Sequence, residues 1–185
     1  TRTISSAASD VYKRQHTVFP IMREQNYGRI IFTSSSSGVF GNFGQSNYGS
    51  AKMAMVGLMN TLKIEGQKYN IHTNSITPVA YTRMTDGLLP EEVGESLQPE
   101  YVTPAVIYLS GNDAPNGAII SAGAGVYSRI FIHETDGVSL GMGEEMTPEN
   151  IAASWDSISD MKGAKALQSG PEQSIKIFEK LNQKD

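Results

Sequence analysis

Apolar positions in this chain alternate between two rhythms, short β-branched runs and longer stretches with helical spacing. Residues 18–25 read as the end of a helix, closed by Asn26-Tyr27-Gly28 as a C-terminal stop. Residues 29–33 form a short apolar run of the kind a buried parallel strand requires. Glycines at 38, 41 and 44 then predict a loop able to approach a ligand closely. Between residues 47 and 69 the spacing is helical, with Ala51, Ala54, Met55, Leu58 and Leu62 on one stripe. Ala51 and Gly57 are small enough to let that helix lie close to another. Residues 71–77 predict the next strand, Pro78 starts a loop to Thr85, a capped helix covers 101–110, and 118–122 is the last strand. Thr103-Pro104 marks the beginning of that last helix. Strands alternating with helices predict an α/β fold of Rossmann type, a doubly wound parallel sheet with helices on both faces. In such sheets ligands bind beyond the carboxyl ends of the strands, where the segment after residue 33 and the Pro78 loop both begin.

The tail differs in character. Thr147-Pro148-Glu149-Asn150 carries an N-cap threonine and proline at the first helical position, and predicts a helix through Trp155 and Ile158. Gly170-Pro171 opens another, with Ile175, Phe178 and Leu181 on one face. Residues 129–185 therefore read as a mostly helical C-terminal extension that packs on the main domain, with a cover over the substrate pocket or a dimer contact as the functional alternative.

Composition narrows the function classes. Hydrophobic residues make up 39% and charged residues 18%, as in ordinary globular proteins. The net charge is −4 and no lysine–arginine run occurs, so nothing points to nucleic acid. Without cysteine there is neither a disulfide framework nor a thiolate metal site. His16, His72 and His133 are scattered without ligand spacing, so no metal is expected. No apolar run approaches the roughly 18–20 residues of a membrane helix, and no membrane partner is expected.

The chemistry concentrates in Tyr48-Gly49-Ser50-Ala51-Lys52 and the serine cluster before it, Thr33-Ser34-Ser35-Ser36-Ser37-Gly38. A tyrosine and a lysine at i and i+4 of a helix share a face one turn apart. A neighbouring ammonium favours the phenolate form of a tyrosine, which suits it to general acid–base work. A serine hydroxyl on the preceding loop can hold a substrate oxygen beside that tyrosine. Ser35, following an apolar strand, is placed for this role, while Ser34, Ser36 and Ser37 have the ordinary one of satisfying loop backbone groups.

With these residues, from Gly28-Arg29-Ile30-Ile31-Phe32-Thr33-Ser34-Ser35 through Gly44-Gln45-Ser46-Asn47-Tyr48 to Lys52, the chain resembles the short-chain dehydrogenase/reductase family. Within it, the chain is similar to the (3R)-hydroxyacyl-CoA dehydrogenase domains of peroxisomal multifunctional enzymes. That narrower likeness rests on Gly41-Asn42-Phe43-Gly44-Gln45, on Ile71-His72-Thr73-Asn74-Ser75-Ile76 leading to Pro78 and Arg83-Met84-Thr85, and on Met146-Thr147-Pro148-Glu149. The resemblance implies an oxidoreductase moving hydride between NAD(P) and a 3-hydroxyacyl or 3-oxoacyl thioester. It makes Ser35, Tyr48 and Lys52 catalytic and sets Thr33, Tyr48, Lys52, Pro78, Val79 and Thr82 at the cofactor. It further implies NAD as cofactor with NADP open, an acyl-CoA type substrate and a homodimer of the full-length protein. Val79 stands where the family more often has glycine. The setting read from these features is cytoplasmic, or peroxisomal in a eukaryote, although Asn182-Gln183-Lys184-Asp185 is not a Ser-Lys-Leu signal.

Other family features do not occur here. No glycine-rich turn opens the chain between a strand and a helix, as a cofactor pyrophosphate requires. Gly123-Ala124-Gly125 follows a strand but opens no helix. The acidic residue that selects NAD and the asparagine of the catalytic set are not found either. Residues 16–128 thus read as a partial dehydrogenase domain lacking its glycine-rich half. Residues 1–15 match no part of the family pattern, resemble a translated sequencing adapter, and read as a non-native or disordered leader. Two alternatives stay open: a 3-oxoacyl carrier-protein reductase using NADPH, and a non-catalytic fragment or dimerising scaffold.

Overall fold

The computed structural model describes residues 2–82 and 94–182. The end of the loop predicted from Pro78 to Thr85, the segment Arg83-Met84-Thr85 and the last three residues lie outside the described residues. The described chain falls into two compact units, one up to Ile130 and one from Phe131.

In the first unit the chain begins with α1 (Arg2–Glu24). It ends as expected at Asn26, which takes φ 50°. There the Tyr27 N–H donates to the Met22 carbonyl at 3.2 Å and the Asn26 N–H to that of Arg23 at 3.3 Å, the paired bonds of a left-handed helix stop. Residues 2–15, read from the sequence as a non-native or disordered leader, form the start of α1. Val11 within it packs against the main hydrophobic cluster, which gives the helix a buried face to hold.

Three strands follow in parallel, β1 (Gly28–Thr33), β2 (Ile71–Pro78) and β3 (Ile119–Gly123). Thr33 pairs with Ile76 and Pro78 with Ala122, so the carboxyl ends lie side by side. A fourth strand, β4 (Val126–Ile130), runs antiparallel to β3. It ends the expectation of a purely parallel sheet and extends the first unit two residues past the boundary predicted at 128. Ala124 at φ 49° and Gly125 at φ 74° form the hairpin between β3 and β4. Positive φ at both central residues gives the turn whose twist matches the strands, so Gly123-Ala124-Gly125 turns a hairpin and cradles no phosphate.

Helices cover both faces. On one, α3 (Ser46–Gly66) and α1 enclose Phe19, Phe32, Met55, Val56, Met59, Leu62, Ile71 and Ile119. On the other, α4 (Thr103–Ser110) covers Ile76, Ala105 and Ala122. The stripe of α3 is rotated from the predicted one: Ala54 is exposed, Ala51 half-buried, and Val56 and Met59 take the buried positions. Gly57 faces open space. No side chain caps α4 at its N-terminus, although Thr103-Pro104 does open it.

Central strand β2 is buried along most of its length despite Thr73, Asn74, Ser75 and Thr77. The Asn74 carboxamide resolves much of this, donating to the Pro115 carbonyl at 2.6 Å and accepting the Ala118 N–H at 2.9 Å. Below the sheet, the Arg29 guanidinium donates to the Gly28, Asn70, Gly111 and Asn112 carbonyls and clamps the loops at the amino ends of the strands.

The second unit holds the predicted helices, the first as two pieces: α5 (Pro148–Ala153), α6 (Trp155–Ile158) and α7 (Gly170–Asn182). Thr147 caps α5 as expected, accepting the Asn150 N–H at 3.1 Å. A bridge pairs Glu134 with Lys165, and α7 is tied to the same segment by charge. Lys176 Nζ lies 2.7 Å from Glu134 Oε1 and also donates to the Thr135 carbonyl, while Lys180 Nζ lies 2.7 Å from Asp136 Oδ2. Lys176, then Gln173, hold the Glu134 carboxyl below its usual range, and Lys180 does the same for Asp136.

Candidate active site

The carboxyl end of β1 leads directly into a short helical turn, α2 (Ser36–Val39). The segment read as an open glycine loop from residue 38 is therefore partly helical, and its first glycine has a packing role. A Cβ on Gly38 would lie 2.8 Å from Lys52 Cβ, and one on Gly49 would lie 2.9 Å from the Ser37 carbonyl oxygen. These two glycines let α2 and α3 touch, which carries the serine cluster to the first turns of the tyrosine helix. Gly41 and Gly44, at φ 83° and 74°, turn the connecting loop and have open space around them.

Each serine of the cluster has a distinct environment. The Ser34 hydroxyl is buried and donates to the Lys52 carbonyl at 2.8 Å, and its N–H donates to the Ile76 carbonyl at 2.8 Å. Ser35 is half-buried at the N-cap of α2, and its Oγ accepts the Ser37 N–H at 3.2 Å. That bond uses a lone pair and leaves the hydroxyl proton free to donate. Ser36 is exposed.

Tyr48 lies in the first turn of α3 with 41% of its surface exposed. Lys52 sits one turn on, its Nζ 5.6 Å from the Tyr48 ring centroid, so the expected shared face is present. The same Nζ donates to the Thr33 carbonyl at 3.0 Å. Among the described residues no carboxylate stands within ion-pair distance of this half-buried ammonium. Its charge is therefore directed at the phenol and at whatever binds beside it.

Pro78 and Val79 lie at the adjoining end of β2, where the Val79 N–H donates to the Ala122 carbonyl at 2.8 Å. Gly123 is required opposite, since a Cβ there would meet the Val79 carbonyl oxygen at 2.5 Å. Thr82 is exposed and is the last residue described before residue 94. The fold thus brings Thr33, Ser35, Tyr48 and Lys52 to one place, with Pro78 and Val79 on the neighbouring strand end. The sequence reading missed the Ser34–Lys52 tie and the glycine contact, and also Gln45, whose buried Oε1 has no hydrogen-bond partner just ahead of α3. No group of histidine, aspartate and glutamate suited to a metal occurs among the described residues. No helix among them is long and apolar enough to cross a membrane.

The Ser35 hydroxyl, the Tyr48 phenol and the Lys52 ammonium, which has no carboxylate partner among the described residues, thus adjoin the carboxyl edge of a Rossmann-type sheet. The family model described as short chain dehydrogenase matches residues 2–92. The chain belongs to the short-chain dehydrogenase/reductase family. It is 45% identical over 155 residues to a short-chain type dehydrogenase/reductase of Mycobacterium tuberculosis, covering 83% of this chain and 54% of that protein. It is 44% identical over 166 residues to peroxisomal multifunctional enzyme type 2 of Mus musculus, covering 89% of this chain and 23% of that enzyme. The structure of the full-length Drosophila melanogaster type 2 enzyme superposes with a TM-score of 0.82 at 38% identity, over 93% of this chain and 32% of that one. The chain therefore spans from about a quarter to about half the length of these relatives.

Proposed function

We propose that the full-length protein oxidises a 3-hydroxyacyl thioester of the acyl-CoA type to the 3-oxoacyl thioester, with NAD as cofactor. The observation that carries this reading is the half-buried Lys52 ammonium, which donates to the Thr33 carbonyl, faces the Tyr48 ring and has no carboxylate partner among the described residues. The resemblance of the sequence motifs to (3R)-hydroxyacyl-CoA dehydrogenase domains supports the substrate class.

The donor set fits a nicotinamide dinucleotide at the carboxyl edge. Lys52 keeps N–H donors beyond the one given to Thr33, suited to ribose hydroxyls. Thr33, Pro78, Val79 and Thr82 line or follow the same edge. When bound, the cofactor supplies the acceptor for the hydride leaving the substrate's C3.

Ser35 Oγ–H donates to the oxygen on C3 and stabilises the charge that develops there. Tyr48 Oη takes the hydroxyl proton as the C–O bond gains carbonyl character. Lys52, one turn along the same helix face, lies 5.6 Å from the Tyr48 ring centroid and orients the groups that bind beside it. Running backwards, the same groups protonate a 3-oxo group during reduction.

Full-length protein mixed with NAD and a (3R)-3-hydroxyacyl-CoA should generate NADH absorbance at 340 nm only when both are present. No turnover with the R substrate, or turnover with NADP alone, would contradict the substrate or the cofactor assignment respectively. A homodimer is part of the proposal, supported by the exposed Val18 and Ile21 of α1 and Met53 of α3. Sedimentation at the mass of one chain would remove that part. The proposed setting is cytoplasmic, or peroxisomal in a eukaryote, in keeping with the names of the relatives.

A further inference from the structure

At the far end of α3 from Tyr48, two cations converge on one phenol. The Arg23 guanidinium donates to Tyr69 Oη at 2.8 Å and lies 4.6 Å from the ring centroid. Lys68 Nζ lies 4.9 Å from the same centroid. Lys68 first, and Arg23 next, hold the Tyr69 phenol below its ordinary value. All three border an open hollow of about 670 Å³ whose walls include Phe19 and Ile64.

The charge there is not balanced. Glu65 borders the hollow, but among the described residues it pairs with neither cation. Arg23 lies in the last turn of α1 and Lys68 in the short turn Gln67–Tyr69 after α3, places that favour a cation but do not account for the convergence of both on a neutral phenol. Elsewhere in the described chain, Lys176 and Lys180 have carboxylates and Arg29 has carbonyls. Arg23 is fixed by its bond and its stacking, so its remaining N–H groups are pre-oriented. Because Tyr69 Oη already accepts from Arg23, its proton is left to donate outward. Two cations and a hydroxyl donor bordering one hollow form a receptor for a compact dianion.

We propose that Arg23, Lys68 and Tyr69 bind the phosphate of a phosphate monoester, with Phe19 and Ile64 taking its organic part. Tyr48 and Tyr69 are separated by 21 residues of α3 and the turn that follows it, on the order of 30 Å at helical rise. The site is thus separate from the cofactor edge and does not depend on the oxidoreductase reading.

Phenyl phosphate is the probe, titrated calorimetrically into the 185-residue chain at low salt. Binding should weaken by about tenfold or more in Arg23→Gln and in Lys68→Gln, as expected for loss of one charge-assisted contact. Circular dichroism checks that each variant is folded. A readout on the unaltered chain covers any variant that is not: bound phosphate should shift the ionisation of one phenol upward, a change absent from Tyr69→Phe. No binding by the unaltered chain, or equal affinity in folded Arg23→Gln and Lys68→Gln, would overturn the proposal.

Discussion

Ser35 and Ser36 are neighbours with opposite surroundings, and the difference sets up a direct test at the residue scale. Ser35 is half-buried at the end of β1 with a free hydroxyl proton, whereas Ser36 is exposed on α2. In the full-length protein Ser35→Ala should lower turnover by about 10²-fold, the cost of losing one preorganised donor to a developing oxyanion. Ser36→Ala should leave turnover within a few-fold. Equal losses measured in steady-state assays would move the site to another register of the cluster. The shared helix face of Tyr48 and Lys52 and the place of Ser35 after β1 were legible because helical spacing and the position after a strand are local properties. The bond from Ser34 to the Lys52 carbonyl was not, because it joins residues 18 apart through a contact that only the packing of α2 on α3 creates. Gly38 and Gly49 read locally as loop and helix glycines, and their importance lies in what a Cβ would strike.

At the scale of elements, the strongly periodic segments were readable and the solvent-facing strand was not. Every residue of β4 but Ile130 is exposed, so Val126-Tyr127-Ser128-Arg129 carries no alternation of buried and exposed positions to betray a strand. Its turn places Ala124 at positive φ, where sequence would favour asparagine or glycine. In the second unit both α5 and α7 were read from capping and stripe, but the ion pairs holding α7 join residues more than forty positions apart. Those pairs carry a pH dependence with a definite sign. The folded Glu134 and Asp136 carboxyls titrate below their usual range. Their contribution is complete above the unfolded values, about 4.3 for glutamate and 3.9 for aspartate, and is lost as pH falls through the folded ones. Trp155, the single tryptophan, lies in this unit and reports on it by fluorescence. The unit's melting temperature should fall as pH drops from about 6 to about 3, and Glu134→Gln should flatten that slope. Equal slopes in the two proteins would show that the Lys176 pair adds nothing to holding α7.

At the scale of the whole molecule, the family assignment and the described sheet agree on a Rossmann-type dehydrogenase/reductase domain, and the proposed working edge lies where β1 and β2 end. Within the described sheet β1 is an edge strand, so its outer backbone groups are free to pair with a further strand. Doubly wound architecture and a distinct C-terminal segment were legible from alternating periodicities and capping signals, whereas the helical form of residues 2–15 was not. The function proposed above depends on Tyr48 acting as the acid–base group. Its hydroxyl makes no hydrogen bond among the described residues and its ring is partly exposed, so Tyr48→Phe removes chemistry at little cost in folding. The most direct measurement is the turnover number of full-length Tyr48→Phe with NAD and a (3R)-3-hydroxyacyl-CoA, alongside its melting temperature. A fall of at least about 10²-fold with an unchanged melting temperature is the predicted result. Turnover within a few-fold of the unaltered enzyme would contradict it and exclude Tyr48 as the group that moves the proton.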